Sequence, residues 1–441
     1  MNKIILIFIC ILFFQMTKAQ NEFITVWKPG ASQQIHFPGR GNNFTVTWEE
    51  VGYPQHNGSL NNVNSTMEFI VNFGNSLNPT PANATYKIKI SNGSGNFSQV
   101  RFFDSTGVPA YLNSDHEKLL EIAQWGNIQW QTFDNAFTWC SNMNVTATDA
   151  PVLTDVTQMN EMFYFCFSLV GNASFNTWDT STVTNMFYMF GDDTFFNAPI
   201  NDWNVSNVTN MSYMFDAASN FNQPLGKWNT VNVTTMQHMF HEANSFNQDL
   251  RSWNTVNVTN MNEMFHDATA FNQNIGLWNL SSLVNGVDML KLSGLNCQNY
   301  DNALFGWNSN PQTPDNINLG DAAPLHYKHT AAVNARNNLL NNKNWSVTGD
   351  TYSASCTSFL QVSEQNIKID LIVYPNPASN FIYIKNLKNS ANYKISDASG
   401  RLLTGGKIVS EKVDISNLSK GNYILQIVTK DKVDSFKFIK N

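Results

Sequence analysis

WNTVNVTTMQHMF begins at Trp228 and WNTVNVTNMNEMF begins at Trp253, two near-identical phrases 25 residues apart. The same phrase stands as WDTSTVTNMFYMF from Trp178, as WNVSNVTNMSYMF from Trp203, and in decayed form as WNLSSLVNGVDML from Trp278. A period of roughly 20 to 30 residues is too short for a domain, so each copy is expected to be one coil whose apolar side is buried only by its neighbours. One apolar anchor marks each coil: Met143, Leu169, Phe196, Phe221, Phe246 and Phe271. Within a coil, Val258, Met261, Met264 and Phe265 are spaced to share one face of a short helix or tight turn. The segment FNQDLRSW, ending at Trp253, reads as an extended return.

Stacking of coils explains the recurrence of Trp, Met and Phe as core residues. Asn197, Asn222, Asn247 and Asn272 recur one period apart, and a side-chain amide can donate to and accept from the coils on either side. They are expected to form a structural ladder. Cys140 and Cys166 fall where later coils carry Ala218, Ala243 and Ala268, so they read as small buried residues in adjacent coils. Either a disulfide or two thiols side by side in the core fits that placement.

At 441 residues the chain is too long for one ordinary core. The expected organisation is a signal peptide at 1–19, a β-sandwich-like domain at 20–115, the repeats at 116–290, a C-terminal cap at 291–350, a linker at 351–366 and a second β-sandwich at 367–441. Residues 1–19 carry Lys3, an apolar run from Ile4 to Phe14 and a small-residue cleavage site at Thr17-Lys18-Ala19. That run is too short to span a bilayer, and no later segment is long enough either. FITVW, FTVTW, MEFIVNF, YKIKI and VRFF alternate with Gly, Asn and Pro as strands do. The segment AAVNARNNLLNNKNWSV reads as a helix followed by an edge strand. Asp and Glu outnumber Lys and Arg by 33 to 26, which leaves no basic patch for nucleic acid. Export permits disulfides, and the spacing of Cys140, Cys166, Cys297 and Cys356 fits no zinc pattern.

No motif for catalysis emerges. His241-Glu242 is not followed by the second His of a zinc-protease helix, and no nucleophile elbow, phosphate loop or calcium loop is present. His241 and His266 lie one period apart with His238 close by and Glu242 and Asp267 adjacent, a set that could hold a metal. Nothing in the sequence fixes their orientation, so no metal, cofactor or catalytic residue is assigned. Tyr213, His238 and Glu263, between buried anchors, are the candidate contact residues of a binding face.

Two resemblances bear on function. The V-T-N-M-x-x-M-F core and W-N-T start, with the approach LLEIAQWGNIQW, resemble the BspA-like leucine-rich-repeat surface proteins over about residues 116–350. That resemblance implies an α/β solenoid of the leucine-rich-repeat type, flanked here by two all-β sandwiches, and a role in adhesion. Asp193 in place of the usual small residue, and Gly286 in place of a Met, depart from the pattern. Residues Tyr374-Pro375-Asn376-Pro377, Gly400-Arg401, VDISNL from Val413 and Gly421-Asn422-Tyr423 resemble the sorting domain of the type IX secretion system of Bacteroidetes. Together they imply a secreted or cell-surface, non-catalytic binding protein with a protein or glycan partner, delivered through the type IX translocon. The alternatives are a carbohydrate-binding module in the N-terminal sandwich, resting on exposure of Trp27, Trp48 and Tyr53, and an extracellular enzyme.

Overall fold

The computed structural model of the chain describes residues 21–103, 115–360, 371–385, 387, 391–397, 401–408, 411–429 and 433–441. The expected signal peptide at 1–19 and Gly400 lie outside the described residues. The chain divides into two compact units, residues 1–360 and 361–441.

The first unit begins with alternation that β-structure can use. In β1 (Phe23–Trp27) every second residue is buried, and Trp27 Nε1 donates to Thr25 Oγ1 at 2.8 Å so that the indole nitrogen enters the core satisfied. β2 (Gln34–Phe37) pairs antiparallel with β5 (Phe69–Asn72) in a small sheet. β3 (Gly39–Glu50), β4 (Tyr53–Ser65), β6 (Tyr86–Ser91), β7 (Asn96–Val100), β8 (Leu119–Gln124) and β9 (Asn144–Val145) join β1 in a mixed seven-stranded sheet of order β4-β3-β6-β1-β8-β9, with β7 on β3. β8 and β9 pair in parallel, Ile122 opposite Val145, and that parallel sense runs on into the repeats. One continuous apolar core extends from Phe23 to Trp345.

The repeats do not form an α/β leucine-rich-repeat-like solenoid. Among the described residues the chain is largely mixed β-sheet with two short α-helices, both after the repeats, and no sheet curls or closes on itself. Each copy contributes single parallel bridges, Gln158 to Asn185, Asn185 to Asn210, Asn210 to Thr235, Thr235 to Asn260 and Asn260 to Asn285. Hydrogen bonding explains why the three-three-one spacing yields turns and no helix. Alternate backbone N–H groups leave the copy: Met211, Tyr213, Phe215 and Ala217 donate to Thr235, Gln237, Met239 and His241 carbonyls at 2.8–3.1 Å. The intervening Met214, Asp216 and Ala218 donate three residues back. A helix would spend all of these donors internally.

Side chains tie the copies together at the same separation. The amide oxygens of Asn197, Asn222 and Asn247 accept from the backbone N–H of Asn222, Asn247 and Asn272 at 2.9–3.0 Å, which is the expected ladder. The Trp228, Trp253 and Trp278 indoles donate to the carbonyls of Ile200, Leu225 and Leu250 at 3.0–3.1 Å. Phe215, Phe240 and Phe265 stack at centroid spacings of 5.6 and 5.7 Å. Cys140 and Cys166 are free thiols, fully buried, and burial pushes both well above the usual thiol range.

After the repeats come α1 (Cys297–Ser309) and α2 (Thr330–Asn342), the latter leading into strand Ser346–Thr348 as the sequence pattern of residues 331–347 suggests. Asn296 caps α1 through its side chain, accepting from Asn299 N at 2.9 Å. A Cys297–Cys356 disulfide fastens the segment after the strands to the start of α1. Asp350, buried, is held by Arg336 at 2.5 and 2.6 Å and by the Tyr300 hydroxyl at 2.8 Å, a charge satisfied on every side as burial requires.

Among its described residues the second unit is all β. A three-stranded sheet contains Ile372–Tyr374, Phe381–Lys385 and Lys412–Asp414, and a four-stranded sheet contains Asn392–Asp397, Leu402–Lys407, Gly421–Val428 and Val433–Lys440. Ile382, Ile384, Ile395, Val413, Leu425, Ile427 and Phe438 make its own core.

Candidate binding face

Each copy contains two residues in the left-handed region, four positions apart. The first set is Glu161, Tyr188, Tyr213, His238, Glu263 and Asp288, with φ between 51° and 60°. The second is Phe165, Asp192, Ala217, Glu242, Asp267 and Leu292, with φ between 53° and 62°. None of these is glycine, although a side chain in this region costs roughly 1 to 2 kcal/mol. Burial of Met211, Met214, Phe215 and Ala218 leaves Tyr213, Asp216 and Ala217 half-buried between them, and the neighbouring copies repeat the arrangement.

The structure brings Tyr213, His238 and Glu263 together in one column. The Tyr213 and His238 rings stack at 4.5 Å, and His238 Nε2 lies 3.5 Å from Glu263 Oε1. Tyr188, which the sequence reading passed over, stacks on the other face of Tyr213 at 4.3 Å. Gln237 Nε2 donates to the Tyr213 hydroxyl at 2.7 Å.

A second column stands beside the first. Asp216 accepts or shares a proton with His241 Nδ1 at 2.6 Å, and His266 Nδ1 lies 2.9 Å from Glu263 Oε2. The outer nitrogens face carboxylates too, His241 Nε2 at 3.7 Å from Glu242 and His266 Nε2 at 3.3 Å from Asp267. Asp216 and Asp192 were missed by sequence reading. For Asp216 the signal was its place 25 residues before His241, and for Asp192 its place 25 residues before Ala217 and 50 before Glu242.

Electrostatics follow from the crowding. Burial pushes Asp192 up, Asp216 and Glu242 push it further, and the result is about 6. Burial would lower His241, but the Asp216 hydrogen bond and the charges of Asp216, Glu242 and Glu263 outweigh it and raise the imidazole above its ordinary value. Burial would likewise raise Glu263, yet the His266 hydrogen bond and the charges of the three histidines hold it below the carboxylate range. His238 is lowered, chiefly by burial. Three overlapping sets place one ligand atom per residue within 4.8 Å: Asp216, His238 and His241; His241, Glu263 and His266; and His241, Glu242 and Asp267.

Of the rings proposed for sugar stacking in the N-terminal sheet, Trp27 and Trp48 are buried and Tyr53 is half-buried. The carbohydrate-binding alternative therefore loses its two indoles.

Two family models match the chain. Residues 131–233 and 203–307 match that of a Mycoplasma protein of unknown function, DUF285, and residues 372–441 match the secretion system C-terminal sorting domain. No curated protein matches the chain. The repeats are thus similar to the Mycoplasma family, and with no curled, leucine-rich-repeat architecture in the described residues the BspA-like resemblance is corrected. No helix among the described residues is long and apolar enough to cross a membrane. The sorting domain at its C-terminal end marks the chain as a protein exported by the type IX route and secreted outside the cell.

Proposed function

We propose that the exported protein acts by binding, without catalysis, and that its contact surface is the paired column of Tyr188, Tyr213, His238, Glu263, Asp216, His241 and His266. The observation that carries this reading is the backbone conformation beneath Tyr188, Tyr213, His238 and Glu263. Successive copies keep large or charged side chains at left-handed positions where glycine would relieve strain, and strain retained at a series of half-exposed residues points to a use for the side chains.

A basic segment of an extracellular protein suits the face better than a glycan. Both faces of the Tyr213 ring are already stacked, by Tyr188 and by His238, so only its edge and hydroxyl remain for a partner. Sugar rings use aromatic faces, whereas Glu161, Asp192, Asp216, Glu242, Glu263, Asp267 and Asp288 supply a field of negative charge along the columns. The test is a screen of the mature chain against extracellular-matrix proteins and glycans at low and high salt. Salt-sensitive binding to basic proteins, weakened at least tenfold by Tyr213→Ala with Glu263→Gln in a chain that still unfolds cooperatively, supports the reading. Binding untouched by both substitutions removes the columns from the contact surface.

A further inference from the structure

The sequence assigned no metal because nothing in it oriented the histidines, and the structure supplies that orientation. His241 Nδ1 is engaged by Asp216 at 2.6 Å, and His266 Nδ1 by Glu263 at 2.9 Å. Each imidazole therefore presents Nε2 on the opposite side, toward Glu242 and Asp267 respectively. A carboxylate on one ring nitrogen fixes tautomer and ring direction and leaves the other nitrogen as a ligand, the arrangement that supports imidazole ligation of metals. The two rings stand 5.1 Å apart between centroids.

We propose that His241, Glu242 and Asp267 form a binding site for a divalent transition metal ion of the zinc class, with His266 Nε2 beside it at 3.3 Å from Asp267. Ligand atoms of the first three lie within 4.8 Å of one another, whereas two bonds of about 2.1 Å to a shared ion span at most about 4.2 Å. Around a tetrahedral ion the ligand atoms stand about 3.4 Å apart, so side-chain rotation that moves each ligand atom by up to about 0.7 Å closes the gap. Glu242 and Asp267 are the more exposed members, with side chains 52% and 37% accessible, so an ion has a path from solvent and the carboxylates have room to move. An imidazole with two carboxylates and one position left for water suits zinc, while calcium takes six to eight oxygens, more than the site offers. The other two sets would use Asp216 or Glu263 as ligands and so give up the hydrogen bonds that orient the rings. The site arises from one dipeptide position used twice, His241-Glu242 and His266-Asp267, in adjacent copies.

Zinc, nickel and calcium ions titrated singly into the chelator-stripped mature protein, followed by calorimetry and by thermal unfolding, test the site without any protein partner, so the result stands apart from the binding role proposed above. One zinc ion per chain is expected, calcium giving no saturable heat, with affinity falling in acid because the ligand imidazole must be neutral. His241→Ala should abolish binding, the double variant Glu242→Gln with Asp267→Asn should weaken it at least tenfold, and Asp216→Asn should weaken it about tenfold with stoichiometry kept. His326→Ala, at an exposed histidine outside the site, should change nothing. If His241→Ala fails to fold, the exposed carboxylate pair decides. Absence of saturable zinc binding, or equal affinity in the carboxylate pair variant and the unaltered chain, overturns the proposal.

Discussion

Replacing Asp193 by alanine should stabilise the first unit at neutral pH and leave it unchanged or weaker in acid. Asp193 is fully buried at the position where later copies carry Ala218, Ala243 and Ala268. One carboxylate oxygen accepts from Cys166 N at 2.8 Å, and the other has no partner. Burial therefore raises the group well above its ordinary value of 3.8. The folded chain keeps a proton that the unfolded chain has released, so stability declines as pH climbs from about 3.8 to the raised folded value, at up to about 1.4 kcal/mol per pH unit. By pH 7 the accumulated penalty reaches up to about 4 kcal/mol. Alanine forfeits one hydrogen bond, about 1 kcal/mol, but does not orphan the donor, since Cys166 N also bonds Phe163 O at 2.9 Å. With a small cavity term the net expectation is a gain of about 1 to 3 kcal/mol at pH 7. Denaturant unfolding of the first unit at pH 4, 5.5, 7 and 8 measures it, with Asp193→Asn as the isosteric control. A difference between wild type and Asp193→Ala that stays constant over that range would show that Asp193 does not carry a buried proton, and the argument would fall.

Other perturbations address the remaining contacts. Asn247→Ala removes the acceptor for both Asn272 N and Gln273 Nε2 at 2.7–2.9 Å and should cost about 1 to 2 kcal/mol in thermal unfolding. Ala217→Gly, at φ 53°, should stabilise by about 1 kcal/mol, since glycine adopts that conformation without penalty; a destabilised variant would remove the strain argument from the columns. Opening the Cys297–Cys356 disulfide, a sequence separation of 59, should lower the stability of the first unit by up to about 4 kcal/mol on loop entropy, read as a shift in unfolding midpoint between oxidised protein and the Cys297→Ser, Cys356→Ser variant. Because His241 is raised by its carboxylates, its pairing with Asp216 stabilises below an ordinary imidazole value of 6.5 and the benefit fades as pH rises through the higher folded value. Asp216→Asn should accordingly lose more stability at pH 5.5 than at pH 8.5, by under about 1 kcal/mol, in paired melts.

Periodicity made the spacing of contacts legible, and local pattern made the strands legible. FITVW lies in β1, YKIKI in β6, and the Asn197 to Asn272 ladder bonds as an amide row should. What could not be read was the destination of backbone hydrogen bonds. Met211, Met214, Phe215 and Ala218 carry spacing that suits one face of a helix, and only the donation of alternate N–H groups to the next copy makes the segment a series of turns with Tyr213 and Ala217 left-handed. The same limit hid the face. Tyr213, His238 and Glu263 could be named as a column, but their contacts with Tyr188, Asp216 and His266 depend on which way each side chain leaves a positive-φ backbone. Asp193 was visible as a departure, yet its burial was not.

Because almost every bond between copies joins the same pair of atoms one interval along the chain, the arrangement is indifferent to how many copies there are. Excising residues 229–253 would put Asn254 after Trp228 with its donors and acceptors facing equivalent partners, and duplicating them would do the same in reverse. The near-identical phrases beginning at Trp228 and Trp253 are the kind of sequence between which recombination happens. Length is thus a heritable variable that changes in whole steps, each adding or removing one copy's share of the stability, while the residues borne at the left-handed positions differ from step to step. Gain or loss of a single copy would therefore edit the outward chemistry of the protein, adding or deleting a histidine or an acid at one stroke, and leave its interior as it was.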